Sequence, residues 1–563
     1  MIFICLPCRF HQGVLFFAAS LFLHSSGFGE SPIRSMQIEA EVSQVAPWGH
    51  WGDQVNRYVS WSNHSNRLIP VYSFGCDLQE LKGPRSIYRK KDPLQALYGT
   101  LPDQTHNATA DYFDQTDIHR LQLMAADAGT TRIILFIFDG LDWHTTWAAA
   151  IARCGKITYD RGRGNVFGFQ TYDRVVSDFG WCVTSPANKG TDVDVNAQVV
   201  QNPGGTLLGG YNVRRGGATP WDRRVSSTYL MGRDREQPHA VTDSAASATA
   251  FCAGQKTYNN AINVDPEGNP IEPIGVTLQK RGFAVGVITS VPISHATPAC
   301  SYANNVSRND YQDLTRDMLG QPSVAHRNTH RKGLDVLLGG GFGVHVEEDV
   351  QQGHNFESGN KYLAPSTRKA IDVVHGGRYK VVERTSGCSG AELLAAAAQE
   401  AIRDTLPLLG VFGVAEGNLP FRTASGDFNP HGSRVDQTVM EPLHKKYVPV
   451  QPYASADLHE NPTLADMTTT ALDVLGSRGA FWLMIEAGDV DWASHANNID
   501  TAIGAVESGD EAFLALVRWI ENNGGWESTA VIVTADHGHM FVLDNPELFA
   551  NRSRGKETRT SSQ

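Results

Sequence analysis

The clearest indication of the fold is the run Arg132-Ile-Ile-Leu-Phe-Ile-Phe138, which is followed at once by Asp139-Gly140. Its residues are apolar without alternation, which is typical of a strand buried on both faces of a sheet. Three further runs share this character, at 283–289, 481–485 and 530–533, and helical segments lie between the later ones, at 391–406, 462–475 and 501–521. The predicted N-cap of the segment 462–475 is Asn461. This alternation predicts an α/β fold with a mostly parallel central sheet, helices on both faces and irregular insertions.

Chemically active side chains follow each of the four predicted strands. In chain order they are Asp139, then His295 and Thr297, then Glu486, Asp491 and His495, and finally Asp536 and His537. Because ligands of open α/β sheets bind beyond the carboxyl ends of the strands, these side chains are expected to converge on one rim. Mixed histidine and carboxylate sets suit zinc, whereas hydroxyl and carboxylate oxygens suit magnesium.

A run of small residues, Thr242-Asp-Ser-Ala-Ala-Ser-Ala-Thr249, has the character of a helix start. Taken alone, it predicts an ordinary N-cap that leads into a closely packed helix. Beside a rim of metal ligands, Ser244 becomes the natural nucleophile, because a metal lowers the pKa of a bound hydroxyl. The amide groups of a helix N-terminus also favour a bound anion.

These motifs resemble those of alkaline phosphatase. The matching segments are Asp139-Gly140, Asp243–Thr249, His295-Ala-Thr297, Glu486 with Asp491 and His495, and Thr534-Ala-Asp536-His537. The resemblance runs from about residue 132 to 550, in the same order and with similar spacing. It implies hydrolysis of phosphate monoesters through a phosphoserine intermediate, at a site with two zinc ions and one magnesium ion.

The resemblance also implies a role for each residue. Asp139, Asp536 and His537 would hold the zinc that activates Ser244, whereas Asp491 and His495 would hold the second zinc. Glu486 and Thr297 would hold magnesium with Asp139 as a bridge, and His295 would act through water or in the outer shell. Arg308 falls where the family has its phosphate-clamping arginine, and a guanidinium group matches two phosphate oxygens.

One zinc ligand is not found where the resemblance predicts it. Family members complete the second zinc site with a further histidine that follows the Asp-His motif, yet the polar stretch 551–563 has none and predicts a disordered tail. His539 is an imperfect substitute, because it follows His537 by only two residues. The hypothesis at this point is a truncated chain that lacks one ligand, with activity in doubt.

The rest of the chain divides into two parts. In residues 1–29, Arg9 precedes the apolar run 14–23 and a stretch of small residues, which predicts a secretory signal and a periplasmic or extracellular protein; a membrane anchor is the rival interpretation. Residues 30–125 form an extension of unknown role before a catalytic domain over 126–550. The net charge of −12 argues against a nucleic-acid partner, and the chain predicts no stable membrane span. The expected partners are a small phosphate monoester and a second copy of the chain.

Two other functions stay open. One is a phosphodiesterase, phosphonate hydrolase or sulfatase of the same superfamily, although the sulfatase nucleophile motif is absent around Ser244. The other is an exported protein that binds metal or phosphate without turnover. Hydrolysis of a monoester compared with a diester separates the first alternative, and phosphate binding that is unchanged by Ser244→Ala would favour the second.

Overall fold

The computed structural model describes residues 32–329, 331–430 and 452–553. The predicted signal at 1–29 and residues 554–563 of the predicted tail lie outside these ranges. Residues 551–553, which the sequence placed in the tail, are instead the end of the helix Pro546–Ser553. Within the described ranges no helix combines the length and the apolar character needed to cross a bilayer.

The helices and strands are numbered in chain order. The strands are β1 His50–Trp51, β2 His64–Ser65, β3 Ile69–Phe74, β4 Phe113–Asp114, β5 Arg132–Phe138, β6 Ser177–Val183, β7 Asn188–Lys189, β8 Val193–Asp194, β9 Val199–Val200, β10 Leu207–Leu208, β11 Ala284–Pro292, β12 Val336–Gly340, β13 His345–Val346, β14 Gly359–Asn360, β15 Lys380–Glu383, β16 Leu408–Val411, β17 Phe481–Ala487, β18 Thr529–Thr534, β19 Gly538–His539 and β20 Phe541–Val542. The helices are α1 Pro32–Ser43, α2 Lys91–Tyr98, α3 Thr116–Asp127, α4 Trp143–Cys154, α5 Gly168–Thr171, α6 Val213–Gly216, α7 Ser227–Leu230, α8 Ser244–Ala253, α9 Ile274–Lys280, α10 Ala296–Cys300, α11 Tyr311–Met318, α12 Pro365–Ile371, α13 Gly390–Asp404, α14 Ser455–His459, α15 Leu464–Gly476, α16 Asp489–His495, α17 Ile499–Asn522 and α18 Pro546–Ser553.

A ten-stranded sheet in the order β15-β16-β12-β11-β17-β5-β18-β3-β6-β4 forms the centre of the molecule. Every neighbouring pair from β15 to β18 is parallel, and β3 then runs antiparallel to both β18 and β6. The α/β prediction with a mostly parallel sheet is therefore confirmed. Strand β3 comes from the extension at 30–125, and β6 comes from a stretch expected to be irregular, so both regions contribute to the sheet itself.

The middle strands are covered on both faces. Every residue of β11 and β17 is buried, and so is every residue of β5 after Arg132. Helices α9 and α15 pack against β11, while α17 packs against β5 and β17. Burial of consecutive residues explains why these strands lack the alternation of a half-exposed sheet.

The predicted long helices are present as α13, α15 and α17, but the start of α15 differs from the prediction. Its N-cap is Thr463, whose side chain accepts from the backbone N–H of Asp466, rather than Asn461. The carboxylate of Asp466 accepts in turn from the N–H of Thr463, which forms a capping box. Asn461 instead accepts a 2.6 Å hydrogen bond from the N–H of Gly413.

Candidate functional site

The carboxyl ends of three adjacent strands deliver the carboxylates of the site. Asp139 follows β5, Glu486 lies at the end of β17, and Asp536 follows β18. The parallel register sets Glu486 opposite Ile137 of β5, so the three carboxylates reach the same edge. All three are buried. The strand order thus accounts for the convergence that the sequence predicts.

Helix α16 carries two further predicted ligands on one face. Asp491 and His495 are one helical turn apart, and the Nε2 atom of His495 lies 3.4 Å from Oδ1 of Asp491. The Nε2 atom of His64 lies 3.0 Å from the same His495 atom and 3.6 Å from the same Asp491 oxygen. His64 reaches this place because β2 pairs antiparallel with β19, which sets His64 opposite His539.

The backbone contacts of His64 and His495 favour one tautomer of each ring. The Nδ1 atom of His64 is 3.0 Å from the carbonyl oxygen of Thr242, and that of His495 is 2.8 Å from the carbonyl oxygen of Ser62. Since a carbonyl only accepts, each neutral ring places its proton on Nδ1 and turns a lone pair at Nε2 toward the other ring. Two facing lone pairs repel, and a cation between them removes the repulsion. This pair is therefore suited to hold a metal ion.

The distances also fit zinc. Ligand atoms about 2.0–2.1 Å from a tetrahedral ion are about 3.3 Å from one another. The three separations among His64, Asp491 and His495 are 3.0, 3.4 and 3.6 Å. His539 lies 2.8 Å from Oδ1 of Asp491, an ordinary hydrogen-bond distance, so it supports the carboxylate. Burial opposes ionisation of Asp491, but His495 and His539 hold its pKa well below the usual range.

A second group of ligand atoms surrounds Ser244. The Nε2 atom of His537 lies 3.5 Å from Asp139, 3.3 Å from Asp536 and 3.2 Å from the hydroxyl oxygen of Ser244. Ser244 is the first residue of α8, and the Asp243 side chain caps this helix by accepting from the N–H of Ala246. The predicted nucleophile is thus at a helix N-terminus, beside the residues that were predicted to hold the first zinc ion.

A third group consists of Asp139, His295 and Glu486, whose ligand atoms lie within 4.8 Å of one another. Burial raises the pKa of Asp139 well above its usual range, and the neighbouring carboxylates add to the effect. Burial likewise raises the pKa of Glu486 to about 8, while a hydrogen bond from Thr289 opposes the rise. Among the described residues, Oδ1 of Asp139, Oε1 of Glu486 and Oγ1 of Thr297 have no hydrogen-bond partner. Buried, unpartnered oxygens of this kind fit a hard cation.

Arg308 lies beside the nucleophile helix. Its Nη1 atom donates to Oδ2 of Asp243 over 3.1 Å, and its Nη2 atom lies 3.4 Å from Nε2 of His295. Burial lowers the pKa of His295 to about 3; the charges of Arg308 and Lys361 act in the same direction, and Asp491 opposes them. Arg308 is therefore anchored next to Ser244, in the place that suits a phosphate clamp.

The structure brings every predicted site residue into one connected cluster and adds His64, which the sequence did not single out. The resemblance places the missing zinc ligand after the Asp-His motif, whereas His64 comes before that motif in the chain. The available signal was the polar segment Asn63-His64-Ser65 just before the apolar run 68–74. That run contains Pro70, and a proline argues against a central strand. The structure tolerates Pro70 next to β18 because β18 pairs with β3 only at Tyr72 to Phe74.

The sequence of this chain is similar to those of known proteins of one family. The family model described as "Alkaline phosphatase" matches residues 223–561. The alkaline phosphatase of Escherichia fergusonii is 31% identical over 329 residues, which are 57% of this chain and 62% of that protein. Alkaline phosphatase H of Pseudomonas aeruginosa is 31% identical, with 57% and 62% covered, and alkaline phosphatase 3 of Bacillus subtilis is 29% identical, with 55% and 52% covered. The chain therefore spans between half and two thirds of the length of these relatives.

Among solved structures, the crystal structure of Thermus thermophilus alkaline phosphatase is similar. It covers 73% of this chain and 60% of its own, with 21% identity and a TM-score of 0.41. The cold-active enzyme from a psychrophilic Shewanella covers 72% and 68%, with 21% identity and a TM-score of 0.39.

Proposed function

Because the chain belongs to the alkaline phosphatase family, we propose that it hydrolyses phosphate monoesters with Ser244 as the nucleophile. The observation that carries the proposal is the 3.2 Å separation between the Ser244 hydroxyl and Nε2 of His537, which belongs to one of three groups of metal-type ligands. The cap of α8 is Asp243, so the Ser244 hydroxyl is not needed to cap the helix and is instead directed at His537.

The ligand groups support two zinc ions and one magnesium ion. Asp139, Asp536 and His537 would hold the first zinc, and His64, Asp491 and His495 the second. Asp139, Thr297 and Glu486 would hold magnesium, with His295 beside them. When bound, such cations polarise phosphoryl oxygens and lower the pKa of hydroxyl groups and water.

The chain's own residues position and bind the substrate. Arg308, held by Asp243, offers its guanidinium group to two oxygens of the transferred phosphoryl group. The first-turn amides of α8 add partial positive charge at Ser244. Ser244 gives up its hydroxyl proton to solvent and its oxygen attacks phosphorus in line as the ester P–O bond breaks. The departing alkoxide takes a proton from solvent and leaves as the alcohol. Water then cleaves the phosphoserine, which releases inorganic phosphate and restores the hydroxyl.

Turnover of p-nitrophenyl phosphate by the zinc- and magnesium-loaded protein tests the proposal, with bis(p-nitrophenyl) phosphate as the diester. We expect clear preference for the monoester, loss of turnover in Ser244→Ala, and a trapped phosphoryl group on Ser244 at low pH. Ser389→Ala, which removes the N-cap hydroxyl of α13, is the matched control. Preference for the diester would indicate a phosphodiesterase, and full activity of Ser244→Ala would refute the nucleophile.

We further propose that the chain is exported. The order of charge, apolar run and small residues within 1–29 supports this, although these residues lie outside the described ranges. Mass spectrometry of the N-terminus of the protein recovered outside the cytoplasm tests the proposal. A retained residue 1 would contradict cleavage.

A further inference from the structure

A buried glutamine of the N-terminal extension joins the nucleophile helix to the segment that carries metal-type ligands. Gln115 is the N-cap residue of α3 and is fully buried. Its Nε2 atom donates to the backbone carbonyl of Asp536 over 2.7 Å, and its Oε1 atom accepts from the hydroxyl of Ser247, also over 2.7 Å. The Ser247 hydroxyl contacts the same Asp536 carbonyl. The three groups thus form a closed triangle inside the protein.

The orientation of the Gln115 amide follows from its partners. Because a carbonyl oxygen only accepts, Nε2 must face Asp536, and Oε1 then faces a donor, which Ser247 supplies. Reversal of the amide would set two carbonyl oxygens against each other in a buried place, which is costly. The side chain is therefore held in one orientation and sets the distance between its two partners.

The two partners belong to the two elements that bring the nucleophile and its ligands together. Ser247 lies in α8, three residues after Ser244, whereas Asp536 follows β18 and directly precedes His537. The 3.2 Å separation between the Ser244 hydroxyl and Nε2 of His537 spans the same two elements. This separation depends on how α8 lies against the end of β18, and Gln115 binds both sides of that junction.

We propose that Gln115 is a positioning residue, which holds Ser244 of α8 at the correct distance from Asp536 and His537 for phosphoryl transfer. This inference rests on the proposed phosphomonoesterase function. The contacts of Gln115 are with Ser247 and the Asp536 backbone, so it acts through them and not on the reacting atoms. Positioning of this kind matters because a displacement of about 1 Å between reacting groups costs about 100-fold in rate.

Cobalt-substituted protein tests the inference without turnover, because the visible absorption of Co²⁺ depends on the geometry of its ligands. Gln115→Met keeps a side chain of similar length and removes both hydrogen bonds. We expect its cobalt spectrum to shift from that of the wild type, because the Asp536 backbone is no longer held. Ser247→Ala is a smaller change that should shift the spectrum in the same direction, and it decides the question if Gln115→Met does not fold.

Gln122→Met is the matched control. Gln122 is a fully buried glutamine of α3 that also binds α8. Its Nε2 atom donates to the carbonyl of Phe251 over 2.9 Å, and its Oε1 atom accepts from Nε1 of Trp482 over 2.8 Å. Phe251 is in the last turn of α8, at the opposite end from Ser244. The control should therefore lose a similar free energy of unfolding but keep the cobalt spectrum of the wild type.

A kinetic comparison separates this inference from the proposed function. With p-nitrophenyl phosphate, Gln115→Met should lower kcat about tenfold to a hundredfold and leave KM nearly unchanged, whereas Gln122→Met should keep both. A shifted cobalt spectrum in Gln115→Met, combined with no ester hydrolysis by the wild type, would refute the phosphatase function and leave the positioning of Asp536 intact.

Several outcomes overturn the inference. One is a wild type that binds no cobalt, and another is a cobalt spectrum of Gln115→Met that equals that of the wild type. Equal spectral shifts in Gln115→Met and Gln122→Met would show a general effect of packing. If the wild type hydrolyses the ester, an unchanged kcat in Gln115→Met, or an effect confined to KM, also overturns it.

Discussion

His64 and His495 place their Nε2 atoms 3.0 Å apart, although 431 positions separate them in the chain. Each ring is oriented by a backbone carbonyl at Nδ1, so both lone pairs are committed to the space between them. The extension at 30–125 therefore supplies a part of the site.

Replacement of His64 by alanine tests this role. We expect the protein to lose about one equivalent of tightly bound zinc and its kcat to fall about 100-fold. The reason is that the substitution removes one of the three proposed ligands of the second zinc ion. Zinc stoichiometry by atomic emission and turnover of p-nitrophenyl phosphate measure both effects. The control is His106→Asn, which changes a half-buried histidine that contacts the carbonyl of Arg89. Unchanged zinc content in His64→Ala would contradict the assignment.

Arg308→Lys tests the phosphate clamp. The substitution keeps the charge but loses the fork, so we expect the inhibition constant of inorganic phosphate to rise about tenfold to a hundredfold. Arg403→Lys is the control, since Arg403 is an exposed residue whose guanidinium pairs with Asp404. Phosphate inhibition that is equal in wild type and Arg308→Lys would show that the fork does not contact the phosphoryl group.

Arg34 connects helix α1 to Asp500 of α17 and to the segment 423–427. Its guanidinium donates to Asp500 over 3.1 Å, to Asp427 over 2.6 and 2.8 Å, and to Thr423 over 2.9 Å. Because Arg34→Met leaves the buried Asp500 carboxylate without its cation, we expect the free energy of unfolding to fall by about 3 kcal/mol. Urea titration measures the change. The control is the ion pair between Arg552 of α18 and Glu39 of α1. Arg552→Met should lower the free energy of unfolding by less than about 1 kcal/mol.

His239 predicts a pH dependence of stability. Burial lowers its pKa to about 4, and its ring stacks on Tyr229 at 4.1 Å. His239 in the unfolded chain therefore binds a proton below about pH 6.5, whereas His239 in the folded chain does so only below about pH 4. The contribution of this group lowers the free energy of unfolding as the pH drops from about 6.5 to 4.

His239→Phe keeps the stacked ring and removes the titration. Relative to wild type, the variant should gain about 2 kcal/mol of stability on going from pH 8 to pH 5. Unfolding by urea at both pH values gives the difference, in which contributions common to both proteins cancel. Parallel pH profiles of the two proteins would contradict the prediction.

Most of the site could be predicted from the sequence because it follows buried strands. The strand at 132–138 has the predicted bounds, and its apolar continuity marks both the fold and the position of Asp139. The resemblance to alkaline phosphatase pairs Asp491 with His495, and their spacing of four residues places them one turn apart on α16. In each case a local pattern determines the geometry.

His64 could not be predicted in this way, because its position depends on a non-local pairing. A two-residue strand such as β2 has no periodicity, and only its register with β19 brings His64 to Asp491. The predicted N-cap of α15 was wrong for a related reason. Asn461 and Thr463 are both good caps locally, and Asn461 is instead engaged by the N–H of Gly413, 48 positions away.

The pairing of β2 with β19 has a consequence for how the molecule is made. During translation His64 leaves the ribosome long before residues 491–539 exist, so the early segment remains without these partners until residue 539 has been synthesised. Contacts over such sequence distances close slowly. The nascent protein therefore cannot form the His64–Asp491–His495 triangle before residue 495 has been synthesised, and a metal held by this triangle would bind only after that.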